Sequence, residues 1–415
     1  MLASALKLAV KVPLRRKFFT AISLFGIAFT LLVLTVAAAM LDHVFGPLEP
    51  ETHAERTLMI MDASLRGPNV TMNGSAGYGL LDRHARDLPG VERFSITRNA
   101  MLTATYQHGT RHELYVRYTD AAYWPIFAFR FLEGGPYGVD DEKSGAGVAV
   151  INAATRDRVF GGGAAVGKSI DVEGRAFRVV GVVANVPLTR YATFADVWLP
   201  NGALVGDSYK SDLGGPFCGI LLAHDRSDMP RIRAEFAARV KQIVPPDPRH
   251  VDRVVSGAET LPESVARQLL TLNDADEHVG VARLYAAIAL AAVLFMFLPA
   301  INLVNLNMSR IMERASEIGV RKSFGASTRQ LVGQFVLENV VLTLAGGLLA
   351  LPLSAMVLEL LNRSGLLAYS RFALNVRVFA AGLVAAVFFG LLSGVYPAWR
   401  MARLQPAAAL RGRSL

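Results

Sequence analysis

Cysteine is nearly missing from this 415-residue chain. Cys218 stands alone, so no intrachain disulfide can form and a thiolate zinc site has too few ligands. Charge is scarce as well: Asp, Glu, Lys and Arg make up 19% of the residues, against about 25% in a soluble domain. Hydrophobic residues reach 52% and mean hydropathy is +0.35. That apolar surplus needs a bilayer or an unusually large core to absorb it. Compositional bias is also lacking. Aromatics are 9%, and 36 glycines with 19 prolines are ordinary usage, which excludes disordered and collagen-like chains.

The absent charge is localised. Residues 18–41, 284–309, 339–358 and 378–399 contain no Asp, Glu, Lys or Arg. As helices these runs of 24, 26, 20 and 22 residues are long enough for a hydrocarbon core of about 30 Å, and they predict four transmembrane helices. For the first run a cleaved signal peptide is the alternative, since Lys7, Lys11, Arg15, Arg16 and Lys17 precede it and Ala37, Ala38 and Ala39 follow. Its length exceeds the apolar region of a signal, about 7 to 15 residues, and favours a retained anchor.

Charge sign gives the orientation. Segments 1–18, 308–330 and 400–415 hold 14 basic residues against Glu313 and Glu317, a net +12, whereas the rest of the chain nets −3. A basic excess confined to alternate loops is the positive-inside pattern, with both termini cytoplasmic. It also argues against nucleic acid as a partner, because the basic residues flank membrane segments rather than form one patch with interleaved aromatics. Residues 42 to about 282 are thereby placed outside the cytoplasm, enough for a large folded domain.

That outer segment reads as mixed α/β. Arg56–Ala63 is strand-like, and Tyr78–Leu88 is a short helix stopped by Pro89 and Gly90. Residues 101–118 alternate around His108, Gly109 and Thr110 as a hairpin, and 169–183 does so around Glu173 and Gly174. Ile151–Phe160 reads as a helix, as does Met229–Ile243, which is followed by Pro245, Pro246 and Pro248.

Several motifs in this segment suggest chemistry. Gly162–Ser169 (GGAAVGKS) matches the phosphate-loop pattern G-x-x-x-x-G-K-(S/T), which requires a strand before it and a helix after it. The sequence gives the reverse order, so a glycine-rich helix-to-strand turn is the better reading. His108 and His112 straddle a turn, and His112-Glu113 lacks the second His of a zinc helix. Asp274, Asp276, Glu277 and His278 read as a charged linker before the second membrane segment. No catalytic residue, cofactor site or metal site is assigned.

The membrane half carries two ridges of small residues. Gly382, Ala386, Gly390 and Gly394 recur every four residues in the last helix, and Gly346 and Ala350 do so in the third. Lipid gives no hydrophobic drive for helix association, so such ridges mark close helix contacts. Pro299 should kink the second helix, and Glu338 has a plausible hydrogen-bond partner in Asn302 or Asn305. Ser327 followed by Gln330 is a capping box, which starts a helix near Thr328. Upstream, Ile311, Ala315 and Ile318 recur at helical spacing among Arg310, Glu313, Arg314 and Glu317. These features describe a short, charged helix at the cytoplasmic surface, suited to docking against another protein.

The string ERASEIGVRKSFGAS followed by LVGQFVLEN resembles the loop signature of the MacB/FtsX-type ABC transporter permeases, R-x-x-E-I-G-x-R-(R/K)-x-x-G-A-(S/T). Arg314, Glu317, Ile318, Gly319, Arg321, Lys322, Gly325, Ala326 and Ser327 stand at its positions, with Val320 between them. The flanks VPLRRKFFT (Val12–Thr20) and YPAWRMARLQPAAALR (Tyr396–Arg411) are also similar to the family, as is the stretch GGAAVGKSIDVEGRAFRVVGVV.

The resemblance implies an integral membrane α-helical protein of four transmembrane helices, with a large mixed α/β extracytoplasmic domain between helices 1 and 2. Residues 1–45 would form the cytoplasmic N-terminus and helix 1, 46–280 a MacB-like periplasmic core domain, and 281–415 an FtsX-like permease domain with its coupling loop at 308–330. It implies a multi-pass protein of the bacterial inner membrane that couples through this loop to an ABC ATP-binding subunit. ATP and Mg would be bound by that partner and not by this chain, whose cytoplasmic segments of about 20 residues are too short for a motor domain. A second permease protomer, identical or related, is implied as well, and a periplasmic adaptor protein is compatible. The role implied is mechanotransmission for export or extraction of a peptide, toxic small molecule or lipoprotein. The alternative is regulation of a periplasmic cell-wall enzyme or a signalling partner by the same motion.

Overall fold

The computed structural model describes residues 17–46, 48–107, 109–245, 250–269, 280–295, 297, 320, 324 and 327–402. The chain divides into two compact units. One is helical and comprises residues 1–42, 285–366 and 372–415; the other, outer unit comprises 43–284 together with the five residues 367–371.

Helix α1 (Lys17–Phe45) leads into the outer unit. There β1 (Thr57–Ile60), β2 (Asp62–Arg66), β3 (Thr71–Ser75), α2 (Tyr78–His84), β4 (Val91–Arg98), β5 (Met101–Gln107), β6 (Thr110–Thr119), β7 (Phe131–Gly134) and α3 (Val139–Lys143) follow in order. They are succeeded by β8 (Val148–Asn152), α4 (Ala153–Phe160), β9 (Ser169–Val172), β10 (Arg175–Val183), β11 (Val197–Pro200), β12 (Phe217–Ala223), α5 (Met229–Lys241), β13 (Arg253–Val255) and α6 (Leu261–Leu269).

Ten strands make one sheet in the order β1-β12-β4-β6-β11-β8-β10-β7, with β5 paired to β6 and β9 to β10; β13-β2-β3 form a second sheet. The β8/β10 and β6/β11 pairs are parallel. Both hairpins are present. Gln107 pairs with Thr110, and in the other Glu173 and Gly174 both take positive φ (55° and 76°), the backbone of a tight two-residue turn whose twist suits the strands.

Two sequence expectations need correction. Arg56–Ala63 is not one strand: the chain leaves the large sheet at Met61 and enters the small one. Ile151 and Asn152 end β8 rather than begin a helix, and the Asn152 side chain caps α4 by accepting from the Thr155 amide at 2.7 Å. All five residues of β8 are buried, as are all seven of β12, so their apolar runs carry no two-residue alternation. Leu80 and Leu81 of α2 and Ile232 and Phe236 of α5 pack with Ile60, Ile96 and Leu221. A second cluster gathers Tyr123, Trp124, Trp198 and Ile220.

Within this sheet Asp120 is buried. Its carboxylate accepts from Ser95 Oγ (2.6 Å) and from the Ile96 and Tyr123 amides (2.8 and 3.1 Å). Burial pushes the group up to about 7 despite those donors, and the Glu142 carboxylate adds to the rise.

Helix α7 (Gly280–Phe295) passes from the outer unit into the helical unit at 284/285, and α8 (Thr328–Ser364) and α9 (Val376–Ala402) belong to the helical unit. Among the described residues, Thr20–Phe45 and Arg329–Ser364 are long and apolar enough to cross a bilayer, and Gly280–Phe295 and Val376–Leu391 are shorter apolar helical stretches. Ile27, Ala28 and Leu31 of α1 share a buried cluster with Ala350 of α8 and Phe379 of α9, against which Leu383 and Ala386 pack. A Cβ added to Gly346 would lie 2.7 Å from Ile27 Cγ2, and one added to Gly390 would lie 2.9 Å from Thr343 Oγ1. Glycine lets these backbones approach where a methyl would collide.

Two outcomes are expected. Asp120 binds its proton more tightly folded than unfolded, so the outer unit should lose stability as pH rises from about 4 to about 7, by a few kcal/mol at most. Thermal unfolding of the detergent-solubilised chain across that range should show the slope, and Asp120→Asn should flatten it. Gly346→Ala should lower the melting temperature through a loss of about 1–3 kcal/mol. Gly333→Ala should not, because a Cβ there meets nothing within 4 Å.

Candidate functional site

Of the loop residues marked for ATPase docking, Val320 is described, with Phe324 one turn on. Arg314, Glu317, Ile318, Gly319, Arg321, Lys322, Gly325 and Ala326 lie outside the described residues, as do Asn302, Asn305, Pro299 and the Asp274–His278 cluster. The Phe324 amide donates to the Val320 carbonyl at 3.2 Å, one helical turn, and both side chains are exposed, at 45% for Val320 and 88% for Phe324. Ser327 then caps α8. Its hydroxyl accepts from the Gln330 amide (3.3 Å) and its own amide donates to Gln330 Oε1 (3.0 Å), so the helix starts at Thr328 as the capping box requires. Further along α8, Glu338 is buried and accepts from Gln334 Nε2 at 3.1 Å.

Of the small-residue positions, Gly346 meets Ile27, Gly382 faces Leu31 at 3.5 Å, Gly390 meets Thr343, and Ala350 and Ala386 join the shared cluster. The side-chain surroundings of position 394 are outside the described residues.

The glycine-rich segment Gly162–Ser169 follows helix α4 and precedes strand β9, the reverse of a phosphate loop. Its amides are already engaged within the protein: the Gly167 and Lys168 amides donate to the Val179 and Ala165 carbonyls, and Glu133 Oε2 accepts from the Ala165 amide at 3.0 Å, which with Arg156 holds that carboxyl below its usual range. Lys168 lies over the Phe160 ring at 5.5 Å. Cys218 is buried, and burial pushes its thiol up to about 12, so it is chemically inert. No group of three or more potential metal ligands occurs among the described residues.

A junction that sequence reasoning misses lies in the loop between β10 and β11. Glu51, just after α1, accepts from Thr193 Oγ1 at 2.8 Å and has Arg190 Nη1 at 3.5 Å; both charged groups are buried. Burial pushes the Glu51 carboxyl up, while Thr193 and Arg190 oppose the rise. Arg117, also buried, spans the same loop by donating to the carbonyls of Phe194 (3.1 Å) and Tyr191 (2.7 Å). At the end of the loop Asp196, 4% exposed, accepts from the Tyr115 amide (2.9 Å), Asn152 Nδ2 (2.9 Å) and Tyr369 Oη (2.7 Å). Burial, with the adjacent Asp196 carboxylate, pushes the Tyr369 hydroxyl up to about 12. Each partner lies far away in sequence. Only the presence of Glu51 and Tyr369 in short polar links beside membrane segments could have drawn attention to them.

Residues 20–239 match the MacB-like periplasmic core domain family, and residues 289–406 match the FtsX-like permease C-terminal family. The pyoverdine export ATP-binding/permease protein PvdT of Pseudomonas syringae pv. tomato is 27% identical over 99% of this chain and 59% of its own length. The macrolide export ATP-binding/permease protein MacB of Pasteurella multocida is 25% identical over 70% of this chain and 41% of its own. The uncharacterized ABC transporter permease YvrN of Bacillus subtilis is 25% identical over 70% of this chain and 68% of its own. The chain thus spans about three-fifths of the length of the PvdT relative. Among solved structures, the periplasmic region of MacB from Actinobacillus actinomycetemcomitans aligns at 12% identity with a TM-score of 0.34, covering 53% of this chain and 94% of that one. With its outer segment and its closing helices both matched, the chain belongs to the MacB/FtsX-type ABC transporter permeases, membrane-embedded proteins with a periplasmic domain.

Proposed function

We propose that the chain is the permease subunit of an exporter, passing ATP-driven motion from a separate ATP-binding subunit to its periplasmic domain. The observation that carries this reading is the path of the chain. The polypeptide passes between the helical and outer units at 42/43, 284/285, 366/367 and 371/372, so the outer unit is strung between membrane segments. Force applied to the helices has covalent routes outward. The exposed Val320 and Phe324, followed by a capped α8, supply an apolar footing for a partner beside the charged motif 314–326.

In this reading the motif loop is the coupling helix. Glu317 and Arg321 make ionic contacts with the ATP-binding subunit, which holds ATP and Mg, and this chain performs no hydrolysis. Both termini are cytoplasmic, in keeping with the +12 charge excess on alternate loops. Four membrane-spanning helices are completed by the apolar stretches at 284–309 and 378–399. A second permease protomer, the same chain or a relative, completes the assembly, and a periplasmic adaptor extends it. The names of the PvdT and MacB relatives, export proteins for pyoverdine and macrolide, support a small molecule or peptide as cargo.

Charge reversal by Glu317→Arg with Arg321→Glu should detach the ATP-binding subunit in affinity capture of the tagged chain from native membranes, while membrane insertion and thermal unfolding stay as in the parent. Undiminished capture would contradict the coupling role. Cargo-stimulated ATP turnover in the parent complex is the expected result for an exporter, and ATP-dependent recruitment of a periplasmic hydrolase without cargo movement would instead indicate regulation.

A further inference from the structure

We propose that Leu367–Arg371, the short segment between α8 and α9, is a dedicated fastening of the outer domain to the last two helices, closed by the Tyr369 hydroxyl on the Asp196 carboxylate. The segment's contacts place it in the outer unit, whereas the residues on either side belong to the helical unit. Its shortest bonds to the rest of the outer unit are two: the Leu188 amide donates to the Ala368 carbonyl at 3.0 Å, and Tyr369 Oη donates to Asp196 Oδ1 at 2.7 Å. Arg158 Nη2 lies 3.5 Å from the same hydroxyl, and the Tyr369 ring sits 6.4 Å from that of Phe194.

Two features mark this as more than a loop resting on a surface. Tyr369 has φ of +59°, a left-handed conformation that bulky side chains avoid and that persists only where the surroundings enforce it. Gly365, four residues earlier, takes the same region at no steric cost as the C-cap of α8. The strain at 369 therefore serves to aim a phenol. Its target is also unusual. Asp196 sits where three central strands converge: its amide donates to the Tyr115 carbonyl of β6 (2.8 Å), its carbonyl accepts from the Asn152 amide of β8 (3.0 Å), and β11 begins at the next residue. The buried carboxylate takes donors from β6, from β8 and from Tyr369, so the hydroxyl is one of three groups that satisfy it. A tether ending on that carboxylate is anchored in the sheet rather than in a mobile loop. The same β10–β11 loop holds Glu51, so the chain arriving from α1 and the chain passing from α8 to α9 converge on one element.

The transport role of this fastening rests on the proposed function, but the fastening itself does not. Hydrogen exchange on the purified full-length chain in detergent reads it directly. Tyr369→Phe should raise exchange at the Leu188 amide about tenfold or more, while the Tyr115 amide stays protected and reports an intact sheet. Tyr369→Gly separates a latch from a strained turn. Glycine relaxes the backbone but removes the phenol, so exchange at Leu188 should rise with it too. Unchanged protection at Leu188 in Tyr369→Phe, or increased protection in Tyr369→Gly, would overturn the proposal. In the complex with the ATP-binding subunit, Tyr369→Phe should leave association intact and reduce the ATP-dependent change in exchange across β6, β8 and β11 roughly twofold or more. An undiminished change there would overturn the transmitting role. Failure of any ATP-binding subunit to join the parent chain would count against the proposed function, and the Leu188 measurement would still decide the fastening.

Discussion

A carboxylate removed from water must be satisfied by the protein, and at Asp196 that requirement organises the centre of the outer domain. Its donors come from β6, β8 and the segment between α8 and α9, so each one that leaves removes part of what compensates the burial of the carboxylate. Arg117 and the Glu51–Arg190–Thr193 cluster impose the same condition on the rest of the β10–β11 loop. Buried charge of this kind adds little net stability, but it makes particular arrangements obligatory. In the proposed role, a fixed arrangement where the chain enters the outer unit is the useful property.

The helical unit obeys a different constraint. Lipid offers no reward for helix association, so contact depends on how closely backbones can approach. Gly346 against Ile27 and Gly390 against Thr343 are places where a single methyl group would collide. The unit is therefore held by van der Waals packing over small residues, and the outer unit by a ten-stranded sheet, apolar clusters and buried polar junctions. Two units stabilised by different physics can each keep their internal order, as the proposed function requires.

How much of this was legible beforehand follows from the range of each interaction. The apolar segments showed themselves through missing charge, a property of contiguous residues. The two hairpins were visible in alternation and in Gly109 and Gly174, and the start of α8 in the Ser327–Gln330 spacing, because turns and caps are local. Ile151 and Asn152 read with the helix that follows them rather than with β8, since burial on both faces of that strand erases the two-residue alternation that would mark its end. The junction was invisible for another reason. Tyr369 and Asp196 are 173 residues apart, and Glu51 and Thr193 are 142 apart; neither pair belongs to a pattern that spacing could reveal. The phosphate-loop string shows the converse, a perfect local match emptied of meaning by its context, with Glu133 on the Ala165 amide and backbone carbonyls on those of Gly167 and Lys168.

In the proposed function nucleotide-driven motion reaches the periplasmic domain through this chain. Pulsed electron–electron resonance distances between spin labels at Val205, an exposed position of the outer unit, and Leu360, an exposed position of α8, in the reconstituted complex test it most directly. The distance distribution should shift between the nucleotide-free state and the state trapped with ATP by a hydrolysis-deficient partner. Identical distributions in both states, in a complex whose active counterpart turns over ATP, would contradict it.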